Sequence, residues 1–202
     1  MAPNHTPDSR TNHPLTRRTV TKAASLGVVA ALAGCLSGDE SATKPEPIDL
    51  SGGKQDDQGG MVIGVHAGPN GQIFYRDNSP EGHDNPAWFH TLSMGLFPYY
   101  FDHKRQGWEA VAIYVTDYST VEYELRTDEG TTFISTHTDA DTFGDAEKMT
   151  YVVDSEVHGG MGPDLIPFSN GDDASSFVKE HGGTTVGFDD ITREWITGYL
   201  KR

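Results

Sequence analysis

Sulfur and imidazole side chains are the residues of this sequence whose types best suit metal chemistry. Beyond its N-terminal region the chain carries four methionines and seven histidines: Met61, Met94, Met149 and Met161, with His66, His83, His90, His103, His137, His158 and His181. Thioethers favour Cu(I), and imidazole also binds copper. The single cysteine, Cys35, can form neither an internal disulfide nor a cysteine-cluster zinc site. The available donors therefore point to copper.

Met161 is the methionine whose surroundings most favour a ligand role. Glycines flank it in the segment 158–163, so no strand or helix periodicity explains it as a core residue. Ordinary packing stays the alternative for Met161, and also for Met61, which borders an apparent strand. Met149 begins an apparent strand and is expected in the core, and Met94 lies among aromatic residues against which its sulfur could pack.

Two histidines complete the candidate metal ligands. His158 lies three residues before Met161 and could bind the same ion, and His90 lies in an aromatic segment. The alternative for each is a solvated or structural side chain. The predicted metal-binding residues are therefore Met61, Met161, His158 and His90.

The N-terminus has the features of an export signal. Arg17 and Arg18 precede a short apolar run at 23–32, which is too short to span a bilayer. The paired arginines resemble a twin-arginine signal, and the segment 32–35 resembles a lipobox in which Cys35 becomes the lipid-modified N-terminus. We expect residues 1–34 to be removed and the protein to be anchored on the outer face of the cytoplasmic membrane. An amphipathic helix that stays attached is the alternative.

Acidic residues dominate the composition. The chain has 30 Asp and Glu against 15 Lys and Arg, a formal net charge of −15, which disfavours binding to nucleic acid. Acids spread along the chain suit solubility in high salt, where electrostatic screening is short-ranged. A halophilic-type protein is therefore expected, with an acidic face that steers a partner as the alternative.

The sequence predicts an α+β fold with mostly antiparallel strands. Residues 35–58 lack periodicity and contain two nearby prolines, so we expect a lipid-attached flexible tether before a domain at 59–202. Gly-Gly-Met occurs at 59–61 and again at 159–161, each apparently before a hairpin and a helix. This echo favours two related ββα-type halves, at about 59–135 and 149–202, over coincidence.

Local patterns predict individual elements. Residues 61–66 and 72–76 look like strands joined by a hairpin turn at Asn70-Gly71. An apolar stripe follows Asp172-Asp173 and ends at Gly182-Gly183, which indicates a helix, and Asp189-Asp190 should cap a last helix.

Sequence signatures of common enzymes do not occur. The chain has no Gly-x-Ser-x-Gly, no His-Glu-x-x-His and no phosphate-binding P-loop. We therefore expect a protein that is not an enzyme.

The C-terminal motifs resemble a known family. Met161-Gly162 followed by Pro167-Phe168, then Asp173-Ala174 with Phe177, then Gly182-Gly183, resembles the signature of NosL, the nitrous oxide reductase accessory lipoproteins. The resemblance is strong over the last 35 residues of 59–191 and loose before them. It implies a Cu(I)-binding chaperone that assists assembly of the copper centres of nitrous oxide reductase, with that enzyme or its maturation factors as partners. It also implies Met61 and Met161 as sulfur ligands.

The sequence departs from the family pattern at one position. Gly59 stands where the family has the cysteine of Cys-Gly-Met. Copper would then be held by thioethers with an imidazole such as His158 or His90, and more weakly because a neutral sulfur offers the cation no charge. A metal-free, lipid-anchored interaction module on the same fold is the main alternative. A third alternative is an enzyme, which is supported only by analogy of fold.

Overall fold

Short strands form most of the regular structure in the computed structural model, which describes residues 44–202. Within this range there are ten strands: β1 (Gly71–Tyr75), β2 (Ala87–Phe89), β3 (Ala110–Thr116), β4 (Leu125–Asp128), β5 (Thr131–Ile134), β6 (Phe143–Asp145), β7 (Thr150–Val153), β8 (Val157–His158), β9 (Ile166–Phe168) and β10 (Thr184–Gly187). The predictions that fall before Lys44, namely the export signal at 1–34 and the lipid-modified Cys35, lie outside the described residues.

The helices are short as well. They are α1 (Phe97–Arg105), α2 (Gly171–His181) and α3 (Arg193–Tyr199), with a π-helical turn at Leu92–Leu96 that leads directly into α1, and 3-10 turns at Ala140–Thr142, Ala146–Lys148 and Phe188–Asp190. Among residues 44–202, no helix combines the length and apolar character needed to cross a membrane.

The predicted helix α2 is confirmed, with a shifted start. Asn170 caps it by accepting a hydrogen bond from the backbone N–H of Asp172, so the helix begins before the predicted Asp172-Asp173 cap. Gly182 ends it with φ of 73°, as the Gly-Gly stop predicts. Helix α3 is also present, but Thr192 caps it, since Asp189 and Asp190 form a preceding 3-10 turn.

Three small sheets give the domain its architecture. Their strand orders are β2-β1-β3-β6, β10-β7-β9 and β4-β5-β8, and every pairing is antiparallel except β5 with β8. The fold is therefore α+β with mostly antiparallel strands, as predicted. The segments β1-β2-α1-β3 and β7-β9-α2-β10 share one connection order, with the first strand between the other two. A duplication with boundaries at 59–135 and 149–202 stays a prediction.

The segment before β1 differs from its predicted hairpin. Residues 61–66 form no strand, and Val62 makes only an isolated bridge with Gln55. Asn70 does not turn a hairpin because its buried amide donates hydrogen bonds to Thr136 Oγ1 and to the His137 carbonyl, both at 2.7 Å. Strand β1 pairs instead with β2 and β3. The Gly-Gly-Met segments thus occupy different places, one before β1 and the other between β8 and β9.

The prediction of a flexible tether is wrong for residues 44–58. Leu50 is fully buried in an apolar cluster with Ile63, Tyr114 and Phe143. The side-chain amide of Gln72 exchanges hydrogen bonds with both backbone groups of Ile48, at 2.9 and 3.0 Å. These contacts hold the segment against the first sheet, so the folded region extends at least to Lys44.

The main apolar core joins the first two sheets. Ile73 and Phe89 of the first sheet, Phe97 of α1 and Tyr151 of β7 are fully buried within one cluster. Met149 belongs to the same cluster with 4 % of its surface exposed, as predicted for a core methionine. This shared core fixes the loops that precede β1 and β9 relative to each other.

Candidate metal centre

Met161 lies at the tip of a tight turn. The backbone N–H of Gly159 donates to the Gly162 carbonyl at 2.9 Å, and the return bond is 3.3 Å long. The side chain of Met161 projects from this turn with 47 % of the residue exposed. Exposure on this scale is unusual for a packing residue and leaves the thioether open to a ligand.

Glycines fasten the Met161 turn to the segment 66–68. The backbone N–H of Gly160 donates to the Ala67 carbonyl at 2.7 Å. A Cβ on Gly160 would lie 2.5 Å from His66 Cβ, and one on Gly68 would lie 2.7 Å from Gly159 Cα. Only glycine allows so close an approach at these positions. These contacts fasten the turn that carries Met161 beside His66 and Ala67.

His90 is buried and has one free ring nitrogen. With 6 % of the residue exposed, its Nδ1 lies 2.7 Å from Asp56 Oδ2, and its backbone N–H donates to the same oxygen at 2.8 Å. Its Nε2 is inaccessible to solvent and has no hydrogen-bond partner among the described residues. Buried polar atoms normally have a partner, so this bare nitrogen is a candidate ligand atom.

Asp56 also shapes the turn that carries Met61. Its Oδ1 accepts hydrogen bonds from the backbone N–H groups of Gln58 and Gly59, both at 2.7 Å, and its own backbone N–H donates to the Met61 carbonyl at 2.8 Å. Burial acts to raise the pKa of Asp56, but hydrogen bonds from His90 and Gly59 outweigh burial and lower it. One carboxylate thus anchors both His90 and the Met61 turn.

His66 joins this group although the sequence analysis did not select it. Its ring centroid lies 6.3 Å from that of His90, and its Cβ faces Gly160 of the Met161 turn. The signal that could have found His66 is its position five residues after Met61, within the segment that leads to the Gly-rich turn at Gly68.

Met94 is a second residue that sequence reasoning assigned to the wrong role. It was expected to pack among aromatic rings, but 45 % of its surface is exposed. The next residue, Gly95, contacts the Asp56 carboxylate, since a Cβ there would lie 3.0 Å from Oδ2. The preceding residue, Ser93, donates its backbone N–H to Asp164 at 2.7 Å. The residues on either side of Met94 therefore contact Asp56 and Asp164.

His158 has different surroundings. Its strand, β8, pairs with β5, and its ring lies 6.3 Å from the ring of Phe133 in an edge-on arrangement. The preceding Val157 is buried, so alternation along the strand directs His158 to the opposite face. The described contacts do not bring His158 to His90, and its ligand role stays a prediction.

Contacts of neighbouring residues bring the segments that carry Met61, Met94 and Met161 close to His66 and His90, whose ring centroids lie 6.3 Å apart. Across residues 44–202, no three His, Cys, Asp or Glu side chains are grouped closely enough to hold a metal ion. The site therefore lacks the oxygen-rich shell that Ca²⁺ or Mg²⁺ requires. Its chemistry fits a soft cation such as Cu(I).

The structure is a small α+β domain in which the exposed Met94 and Met161 and the buried His90 are candidate metal ligands. The family model for NosL matches residues 47–196, so the chain belongs to the NosL family. It is 33 % identical over 138 residues to the copper-binding lipoprotein NosL of Achromobacter cycloclastes. That match covers 65 % of this chain and 60 % of the relative, so the chain spans well under two thirds of the relative's length.

A solved structure shares the fold. The crystal structure of the copper chaperone NosL from Shewanella denitrificans matches with a TM-score of 0.56 at 23 % identity, covering 72 % of this chain and 94 % of that one. This match independently supports the α+β architecture described above.

Proposed function

We propose that this protein is a copper(I)-binding accessory protein that assists assembly of the copper centres of nitrous oxide reductase. The observation that supports copper binding is the buried Nε2 of His90, which has no hydrogen-bond partner among residues 44–202 and whose ring lies 6.3 Å from that of His66. The names of its relatives, a copper-binding lipoprotein and a copper chaperone, support the same cargo. The link to nitrous oxide reductase rests on the family resemblance of the C-terminal motifs.

The proposed ligands come from the loop before β1, the end of β2, the π-helical turn that follows it, and the turn between β8 and β9. His90 offers a directed nitrogen lone pair, and Met61 and Met161 offer the sulfur atoms expected from the motifs. His66 and Met94 lie next to them and extend the same donor set. His158 is the weakest member of the proposed set because its ring lies beside Phe133.

The arrangement suits a metal that is carried and then released. Two of the thioethers, those of Met94 and Met161, are about half exposed, at 45 and 47 %. A recipient protein could therefore coordinate the ion through its own ligands before the bond between the ion and His90 breaks. Neutral thioethers also bind Cu(I) without the added attraction of a thiolate charge, which favours exchange.

The proposed location is the outer face of the cytoplasmic membrane, with Cys35 as the lipid attachment site. The arginine pair, the apolar run and the lipobox support this location, as does a relative named as a lipoprotein. The proposed partners are nitrous oxide reductase or its maturation factors, and the relatives' names give no indication of an enzyme.

An anaerobic competition titration with a chromogenic Cu(I) chelator tests copper binding. The purified chain should withdraw Cu(I) from the chelator, and a double Met61→Ala and Met161→Ala variant should do so more weakly. Met149→Ala supplies the matched control, since that methionine lies in the core. Unchanged affinity in the double variant would overturn the site assignment.

A transfer experiment separates a chaperone from the alternative function. Loaded protein mixed with metal-free nitrous oxide reductase should pass Cu(I) to it. A chain that withdraws no Cu(I) but still binds a maturation partner would instead be a metal-free interaction module.

A further inference from the structure

Asp56 is a buried carboxylate that is not among the proposed metal ligands. Only 3 % of this residue is exposed. Burying a carboxylate is costly unless it is hydrogen-bonded. Its two oxygens accept three backbone N–H groups, from Gln58, Gly59 and His90, and Oδ2 also lies 2.7 Å from His90 Nδ1.

Resting on the copper-binding function above, we propose that Asp56 is the positioning residue of the metal site: it holds His90 with Nε2 bare and supplies the negative charge that the neutral ligands lack. An ionised carboxylate can only accept hydrogen bonds, so the proton of a neutral His90 must lie on Nδ1. The lone pair of Nε2 is then free for a metal, and this is the buried atom without a partner.

The charge of Asp56 has little compensation in its surroundings. Within the described chain its only ion-pair partner is His90, and neither a Lys nor an Arg neutralises it. A neutral His90 therefore leaves one uncompensated negative charge directly behind the ligand. Thioethers and a neutral imidazole bring no charge, so the Asp56 carboxylate is the counter-charge for a monovalent cation at Nε2. Such carboxylate–histidine–metal pairs raise the basicity of the ligand and fix its ring.

The neighbouring Asp57 offers a matched control. It lies in the same loop and accepts hydrogen bonds from the Trp88 backbone at 2.8 Å and from His83 Nε2 at 2.9 Å, but none from His90. Asp57→Asn therefore changes the net charge by the same amount and perturbs the same loop without touching the proposed ligand.

The first experiment is a double-mutant cycle by Cu(I) competition titration. Asp56→Asn should weaken Cu(I) binding by about tenfold or more, Asp57→Asn should leave it unchanged, and the loss from Asp56→Asn should be smaller in a His90→Ala background. Equal losses in both backgrounds would show that Asp56 does not act through His90 and would overturn the inference. An unchanged affinity of Asp56→Asn would overturn it as well.

The second experiment reads the His90 tautomer and does not depend on a stable variant. A long-range proton–nitrogen NMR spectrum of the metal-free wild-type chain at pH 8 should show His90 protonated at Nδ1 and bare at Nε2. Protonation mainly at Nε2 would contradict the proposal. A wild-type chain that binds no Cu(I) overturns the proposed function, whereas Cu(I) binding that is indifferent to Asp56 overturns this inference alone.

Discussion

Gly160 donates its backbone N–H to the Ala67 carbonyl at 2.7 Å, and this bond fastens the Met161 turn beside His66. The two residues are 93 positions apart in sequence, and the close approach needs a residue without a side chain at position 160. The geometry of the site therefore depends on backbone contacts as much as on the ligands themselves.

Gly160→Ala should loosen this contact. The added methyl group would lie 2.5 Å from His66 Cβ and 2.9 Å from the Ala67 carbonyl oxygen. We expect the free energy of unfolding to fall by about 1–3 kcal/mol, as for other overpacked sites, and Cu(I) binding to weaken. Urea denaturation and chelator competition measure the two effects. Gly198→Ala is the control, because nothing lies within 4 Å of its added methyl and alanine favours its helix. If Gly160→Ala were as stable as wild type, the close approach of Gly160 to His66 and Ala67 would be contradicted.

The exposed methionines should contribute sulfur rather than packing. Met94→Leu and Met161→Leu keep the apolar volume but remove the thioether, so each should weaken Cu(I) binding with little change in the unfolding midpoint. Met149→Leu should show the reverse, with unchanged Cu(I) affinity and a stability cost below about 1.5 kcal/mol. Chelator competition and thermal melts check both. If leucine at 94 and 161 leaves the affinity intact, these sulfurs are not ligands.

Asp164 should make stability depend on pH. Burial raises its pKa to about 6 from 3.8, against hydrogen bonds from the Ser93, Leu165 and Leu92 backbones. Between those values the folded state binds more protons than the unfolded state, so this group's contribution falls as pH rises. Two pKa units correspond to about 3 kcal/mol.

Comparison with Asp164→Asn isolates that contribution. The stability of the variant minus that of wild type should grow by about 2–2.5 kcal/mol between pH 4 and pH 7, on top of a constant offset from altered hydrogen bonds. Urea denaturation at several pH values gives the difference. A difference that stays level or declines over this range would contradict a raised pKa at Asp164.

Leu50→Ala tests the packing of the segment before Gly59. Leu50 is fully buried, so its truncation should cost about 2–5 kcal/mol of unfolding free energy. Val65→Ala, at a residue 68 % exposed, should stay within about 0.5 kcal/mol of wild type. Chemical denaturation gives both values. If Leu50→Ala had wild-type stability, residues 44–58 would not be packed against the domain and the prediction of a flexible tether would hold for them.

Local signals allowed part of this structure to be predicted. Helix α2 follows from its apolar stripe and the Gly182-Gly183 stop, and Met161 stood out because a glycine-rich loop gives no reason for a core methionine. Both features depend on a few adjacent residues. The α+β class with mostly antiparallel strands follows from the same kind of local pattern.

The features that the sequence hid depend on distant contacts. His90 Nδ1 lies against Asp56, 34 residues earlier, and the exposed Met94 follows Ser93, whose backbone N–H donates to Asp164, 71 residues later. Residues 44–58 looked irregular because they form no helix or strand, yet Leu50 fills a pocket in the core. Hydrophobic periodicity reports only local structure, so it does not predict contacts between residues this far apart in sequence.

X-ray absorption at the copper K-edge of the Cu(I)-loaded chain tests the central claim most directly. We predict a first shell that contains both sulfur and nitrogen, with a nitrogen lost in His90→Ala and none lost in His83→Ala, whose two ring nitrogens already contact Asp84 and Asp57. A shell of nitrogen and oxygen alone, or spectra that do not change in His90→Ala, would contradict a mixed thioether–imidazole site.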